Sequence, residues 1–152
     1  MKLPMFAALV ATLAAHAAAA QEPAPGPQWA SVTPASARYS TWMDTTSVEA
    51  VGPDRFRVRL LILVPGLPIP LPNGMRADRS LTREEYDCAQ RSSELLSGEW
   101  RMGEKVVYTI RPPGHAQPWR PAYVESAELK CQLARRITGA GGGSPNPGGG
   151  SP

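Results

Sequence analysis

From residue 55 to residue 64 the chain reads Arg-Phe-Arg-Val-Arg-Leu-Leu-Ile-Leu-Val. Phe56, Val58, Leu60, Ile62 and Val64 fall at every second position and so share one face of a strand; Arg55, Arg57 and Arg59 share the other. Leu61 and Leu63 then take over the second face. The pattern predicts a central strand, half-buried at its start and covered on both sides toward its end. Gly52-Pro53-Asp54 opens this stretch as a turn and Pro65-Gly66 closes it.

The same reading predicts short strands over residues 29–33 and 38–44, where Tyr39, Thr41 and Met43 alternate against Ser40 and Trp42. Asp44-Thr45-Thr46-Ser47 reads as a turn whose side-chain oxygens capture backbone N–H groups. Residues 47–51 form a further extended piece before the turn at Gly52. Residues 75–82 read as the next strand. Residues 83–91 fit a helix by propensity, and equally a strand with Thr82, Glu84, Tyr86 and Cys88 on one face. Gly98 and Gly103 punctuate the next stretch of chain, with Trp100 between them. Residues 105–110, Lys-Val-Val-Tyr-Thr-Ile, are a strand by composition.

Residues 122–136 predict a helix, preceded by Pro121 as helix starts prefer. Val124, Ala127, Cys131 and Ala134 recur at helical spacing, and Leu133 widens the stripe. Glu125 and Glu128 lie toward its start, with Lys130, Arg135 and Arg136 toward its end, the order that suits the helix dipole. Gly139 ends it. The predicted fold is α+β: an antiparallel meander of about six strands with a C-terminal helix packed on it.

Between these elements, Pro65-Gly66-Leu67-Pro68-Ile69-Pro70-Leu71-Pro72-Asn73-Gly74 has too many prolines for a ladder or a helix, and reads as extended or polyproline-like. Its Leu and Ile residues either fold back on the core edge or form an exposed apolar patch. The prolines also blunt edge pairing of the sheet.

Composition adds the compartment. Residues 1–20 read as a secretory signal peptide: Lys2 is the positive start, an apolar run follows, and Ala18-Ala19-Ala20 supplies small residues for cleavage. The run is too short and Ala-rich for a good membrane span, so no stable membrane insertion is expected after cleavage. Residues 21–27 are a Pro-rich lead expected to be disordered, residues 28–138 one folded domain, and residues 139–152 a Gly/Pro/Ser tail expected to be disordered. The chain has only two cysteines, Cys88 and Cys131. In an oxidising compartment a single structural disulfide is the default, and a reactive thiol pair the alternative.

Candidate chemistry is sparse. The formal net charge of +3 and the lack of aromatic residues among Lys/Arg clusters argue against nucleic acid as a partner. His115 stands alone in a Pro/Gly loop, and no His/Cys/Asp cluster has metal-ligand spacing. No glycine-rich phosphate loop follows a strand. Glu84, Glu85 and Asp87 offer carboxylates for acid–base work, with a solvated face as the plainer reading. The expectation is therefore a non-enzymatic protein that needs no cofactor. Arg55, Arg57 and Arg59, with Leu67 and Ile69 of the proline-rich loop, form the candidate surface for a protein partner; a solvated strand face and an edge-covering loop are the alternative.

The order Trp29, Tyr39, Trp42-Met43-Asp44-Thr45-Thr46-Ser47-Val48, then the long Arg/Val strand, Tyr86-Asp87-Cys88, Arg91, Trp100, Trp119 and Cys131 resembles the surface-adhesin protein E-like family of Gram-negative bacteria. The resemblance spans residues 28–133. It implies a strongly bent antiparallel sheet, a C-terminal helix packed on it and one cysteine bridge. It further implies an exported domain, in the periplasm or at the cell surface, that binds host matrix or other extracellular proteins such as vitronectin and laminin. A periplasmic accessory or structural protein without adhesive activity is the alternative.

Overall fold

The computed structural model describes residues 26 and 28–140. The expected signal peptide lies outside the described residues, as do nearly all of the expected lead and tail.

Among the described residues, ten strands and one α-helix follow one another. β1 is Trp29–Ser31, β2 Ser40–Asp44, β3 Glu49–Gly52 and β4 Arg55–Leu63. β5 (Ile69–Pro70) and β6 (Arg76–Ala77) form a separate two-stranded ribbon. β7 is Arg79–Asp87, β8 Ser92–Met102, β9 Lys105–Ile110 and β10 Gln117–Pro118, and α1 is Val124–Thr138. The main sheet has eight strands and every pairing in it is antiparallel. The antiparallel sheet, the C-terminal helix and the Cys88–Cys131 bridge are those expected from sequence; the strand count exceeds the expected six.

The predicted central strand is central. β7 occupies one whole edge of β4, from Arg55↔Asp87 to Leu63↔Arg79. The other edge is shared: β3 pairs with residues 55–57 and β2 with residues 60–63. β8 repeats the arrangement, with β7 on one edge and both β9 and β10 on the other. Residues 83–91, open between helix and strand, divide between the end of β7 and a turn.

Residues directly opposite in antiparallel strands share a face. Met43↔Leu60, Phe56↔Tyr86 and Val58↔Glu84 therefore point the same way. Val32, Met43, Phe56, Val58, Leu60 and Tyr86 pack there with Ala127, Cys131 and Ala134 of α1 in one buried core. The alternation read from sequence thus places the apolar face of β4 under the helix. Burial of such side chains is worth about 1.5–3 kcal/mol each, the main source of a small domain's stability.

Three links between helix and sheet add direction. Cys131 is bonded to Cys88, with 6.0 Å between Cα atoms. The Arg135 guanidinium donates to both Asp54 carboxylate oxygens at 2.7 Å, holding the end of α1 to the β3–β4 turn. Arg91, in the β7–β8 turn, pairs with Glu128. Asp54 holds that β3–β4 turn with φ of 52°, a left-handed conformation that Asp and Asn tolerate better than most residues.

The Asp44 turn is also as expected, and more deeply built in. Asp44 is 2% exposed. One carboxylate oxygen accepts from the Thr46 N–H at 3.0 Å and the Thr46 hydroxyl at 2.6 Å. The other accepts from Arg59 Nε at 3.1 Å. Ser47 Oγ donates to the Asp44 carbonyl at 2.8 Å and accepts from the Arg59 N–H at 2.9 Å. Four residues thereby tie the β2–β3 connection to β4.

The proline-rich loop splits between its two readings. Leu71 is buried and Ile69 half-buried in the β5–β6 ribbon, while Leu67 is 83% exposed.

Candidate functional site

Strand alternation separates the three candidate carboxylates. Glu84 points to the helix side of the sheet; Glu85 and Asp87 point away from it. On the far side Glu85 takes both Arg55 and Arg57, the latter at 2.9 Å. Arg57 also lies 3.5 Å from Glu49, and Arg59 is bound to Asp44. The arginine face of β4 is thus laced to carboxylates on β2, β3 and β7. Burial raises the Glu85 carboxyl, but hydrogen bonds from Arg57 and Arg55 outweigh it and leave the group below its ordinary range. Leu67 stands exposed on a loop and Ile69 is half-buried. His115 is exposed, its Nδ1 3.1 Å from the Pro113 carbonyl oxygen.

The helix side holds a different constellation. A cleft of about 700 Å³ opens between residues 34–39, β10 with residues 119–123, and the first turns of α1. Its floor includes Thr41, Ile62, Glu84, Tyr86 and Ser93 of the sheet. Such a volume suits a small-molecule or short peptide ligand. Tyr39 and Tyr123, 46% and 63% exposed, line it with Trp119.

A hydrogen-bonded chain runs through this floor. Lys130 Nζ donates to the Tyr86 phenol oxygen at 3.0 Å. The Tyr86 hydroxyl donates to Glu84 Oε2, and the Thr82 hydroxyl donates to Glu84 Oε1 at 2.9 Å. The Lys130 ammonium also lies 5.2 Å from the centre of the Tyr86 ring, within cation–π range. Burial lowers the Lys130 ammonium below the usual lysine range, against the pull of the Glu84 carboxylate. Burial, then the charge and hydrogen bond of Glu84, raise the Tyr86 phenol well above its usual range, so it keeps its proton and donates it.

Sequence reasoning assigned Lys130 to the helix dipole and missed it here. The signal was present: Lys130 lies three residues after Ala127 and four before Ala134, on the buried stripe of α1. A lysine on an apolar stripe asks for a partner across the interface. Trp119 completes the wall, its ring centre 6.4 Å from that of Tyr86 and 6.0 Å from the Arg91 guanidinium carbon.

Among the described residues, no group of three or more His, Cys, Asp or Glu side chains is placed to hold a metal ion. No helix among them is long and apolar enough to cross a membrane.

No protein-family model matches the chain, and comparison with curated proteins finds no match. Among solved structures the chain is similar to protein E from non-typeable Haemophilus influenzae. The two share 12% identity at a TM-score of 0.47, over 75% of this chain and 90% of that one. That is a distant resemblance in fold.

Proposed function

We propose that the chain is an exported, non-enzymatic binding domain with an adhesin-like role, and that the cleft beside α1 is its contact surface. The observation that carries the reading is the closed chain Lys130–Tyr86–Glu84–Thr82 in the cleft floor. A general base must lie within hydrogen-bond reach of the proton it takes. Glu84 is engaged by Thr82 and by the Tyr86 phenol, whose oxygen also accepts from Lys130, and the phenol proton is committed to that bond. Ser93 and Ser126 line the cleft, but neither hydrogen-bonds to a histidine or carboxylate among the described residues. A nucleophile without an adjacent base is poorly activated. The same walls offer rigid aromatic area at the rim, which suits binding.

The disulfide fits an exported protein, as does the leader-like pattern of residues 1–20. The resemblance in sequence motifs points to extracellular protein partners.

The test combines location with binding. Protease accessibility on intact cells reports surface display. Purified oxidised protein is then titrated onto immobilised vitronectin and laminin. Saturable binding, weakened at least tenfold by Tyr39→Ala with Tyr123→Ala, supports the reading. Protein confined to the periplasm that binds neither would sink the adhesive role.

A further inference from the structure

The cleft carries more donors than its fold consumes. Lys130 presents three N–H bonds, and its one acceptor among the described residues is the Tyr86 oxygen. The Trp119 indole N–H, on a residue lining the same cleft, is buried without an acceptor. Arg38 and Arg120 line the cleft and are exposed, and their side chains make no hydrogen bond or ion pair among the described residues. The opening turns of α1 also line it, and no side chain caps that helix start. Two carboxylates oppose these cations, Glu84 in the floor, which accepts from Thr82 and Tyr86, and Glu125 at the rim, against the three cationic side chains Lys130, Arg38 and Arg120.

These donors surround apolar and aromatic walls formed by Pro34, Ile62, Pro118, Tyr39 and Tyr123. A ligand complementary to both parts has an apolar or aromatic body and one anionic end. The volume exceeds what a small organic acid fills, and suits a few residues of extended chain. We propose that the cleft binds the free C-terminal carboxylate of a partner protein's chain, with apolar or aromatic final residues, directed at Lys130. This rests on the reading of the cleft as a binding surface. Capture of a terminal carboxylate by convergent donors is an established mode of peptide recognition, and a charge-assisted bond is the stronger kind.

The experiment uses the full oxidised protein and N-terminally labelled four-residue peptides ending in Phe, Leu or Trp, each as free acid and as C-terminal amide. Fluorescence polarisation reads the affinity. The expected result is binding of at least one free acid, with its amide at least tenfold weaker. Lys130→Met should remove that preference. Because Lys130 also supports the floor, Arg38→Ala and Arg120→Ala serve as rim variants; each should weaken the acid about threefold or more and leave the amide unchanged. Equal binding of acid and amide, or no binding of any peptide at millimolar concentration, would overturn the proposal. If peptides fail while the matrix proteins still bind through Tyr39 and Tyr123, the carboxylate inference falls alone. If both fail, the binding role of the cleft falls with it.

Discussion

Lys130 and Tyr86, 44 residues apart in sequence, meet at 3.0 Å between ammonium nitrogen and phenol oxygen. The contact joins α1 to β7 through a polar bond beside the apolar core under the helix. Tyr86→Phe keeps the ring and removes the oxygen. It leaves Lys130 without an acceptor and Glu84 short of a donor, and is expected to cost about 1–3 kcal/mol. Urea denaturation measures it. Adding Lys130→Met removes the stranded cation, so the double variant should lose less than the sum of the two single losses. Strict additivity would show that the two groups do not interact.

Asp44 governs a second junction. Asp44→Ala strips acceptors from Thr46 and Arg59 at once and should cost about 2–3 kcal/mol. Asp44→Asn keeps an acceptor for Thr46 and should cost less. A loss below 0.5 kcal/mol, taken as about the floor for a neutral surface change, would contradict the structural role given to this turn.

Acid should weaken the fold through several carboxylates together. In Asp44, Asp78 and Glu85 burial raises the carboxyl, but hydrogen bonds from Thr46 and Arg59, from Arg79 and Gly103, and from Arg57 and Arg55 more than offset it. In Asp54 the hydrogen bond from Arg135 dominates directly. All four lie below their ordinary values of 3.8 for Asp and 4.5 for Glu. A lowered folded-state pKa contributes stability that is fully present above the ordinary value and is lost as pH falls through the folded one. Thermal midpoints should therefore change little through these groups from neutral pH down to about 5, then fall steeply below about 4. A flat profile through that lower range would mean that the pairs are not formed in solution.

The Cys88–Cys131 bridge closes a segment of 43 residues' separation. In the chain-entropy model its removal by Cys88→Ala with Cys131→Ala costs about 4 kcal/mol. The denaturation midpoint should drop accordingly, and the proteolytic sensitivity of α1 should rise.

Gly98 is buried in β8 where a Cβ would stand 2.8 Å from Ile110 Cδ1 and 3.3 Å from Thr82 Cγ2. Gly98→Ala needs only a shift of the flexible Ile110 tip and should be mild. Gly98→Val forces both neighbours and should cost about 1–3 kcal/mol, read as a lower thermal midpoint.

Sequence pattern revealed the elements whose composition or period was unambiguous. β4 and β9 are rich in strand formers, and α1 keeps its stripe from Ala127 to Ala134. β8, the longest strand, was invisible for physical reasons. Ser92, Ser93, Ser97 and Gly98 are poor strand formers, and the register with β7 shifts opposite Arg83/Glu84, where Leu96 is the extra residue on β8. An alternation broken in mid-strand cannot be counted from one chain. The arginines of β4 read as a cluster because their carboxylate partners sit on three other strands. The cleft floor was hidden for the same reason: Glu84 and Lys130 come together only once α1 folds back across the sheet.

Among the described elements the helix comes last in sequence. A chain made N-terminus first has produced every described strand before α1 is added. Phe56, Val58 and Leu60 then have no lid until Ala127, Cys131 and Ala134 arrive. The unfinished sheet is adhesive in the undesirable sense, open to its own kind and to any passing apolar surface. Closure of the core and assembly of the cleft both wait on α1, and the native pairing of Cys131 with Cys88 waits with them.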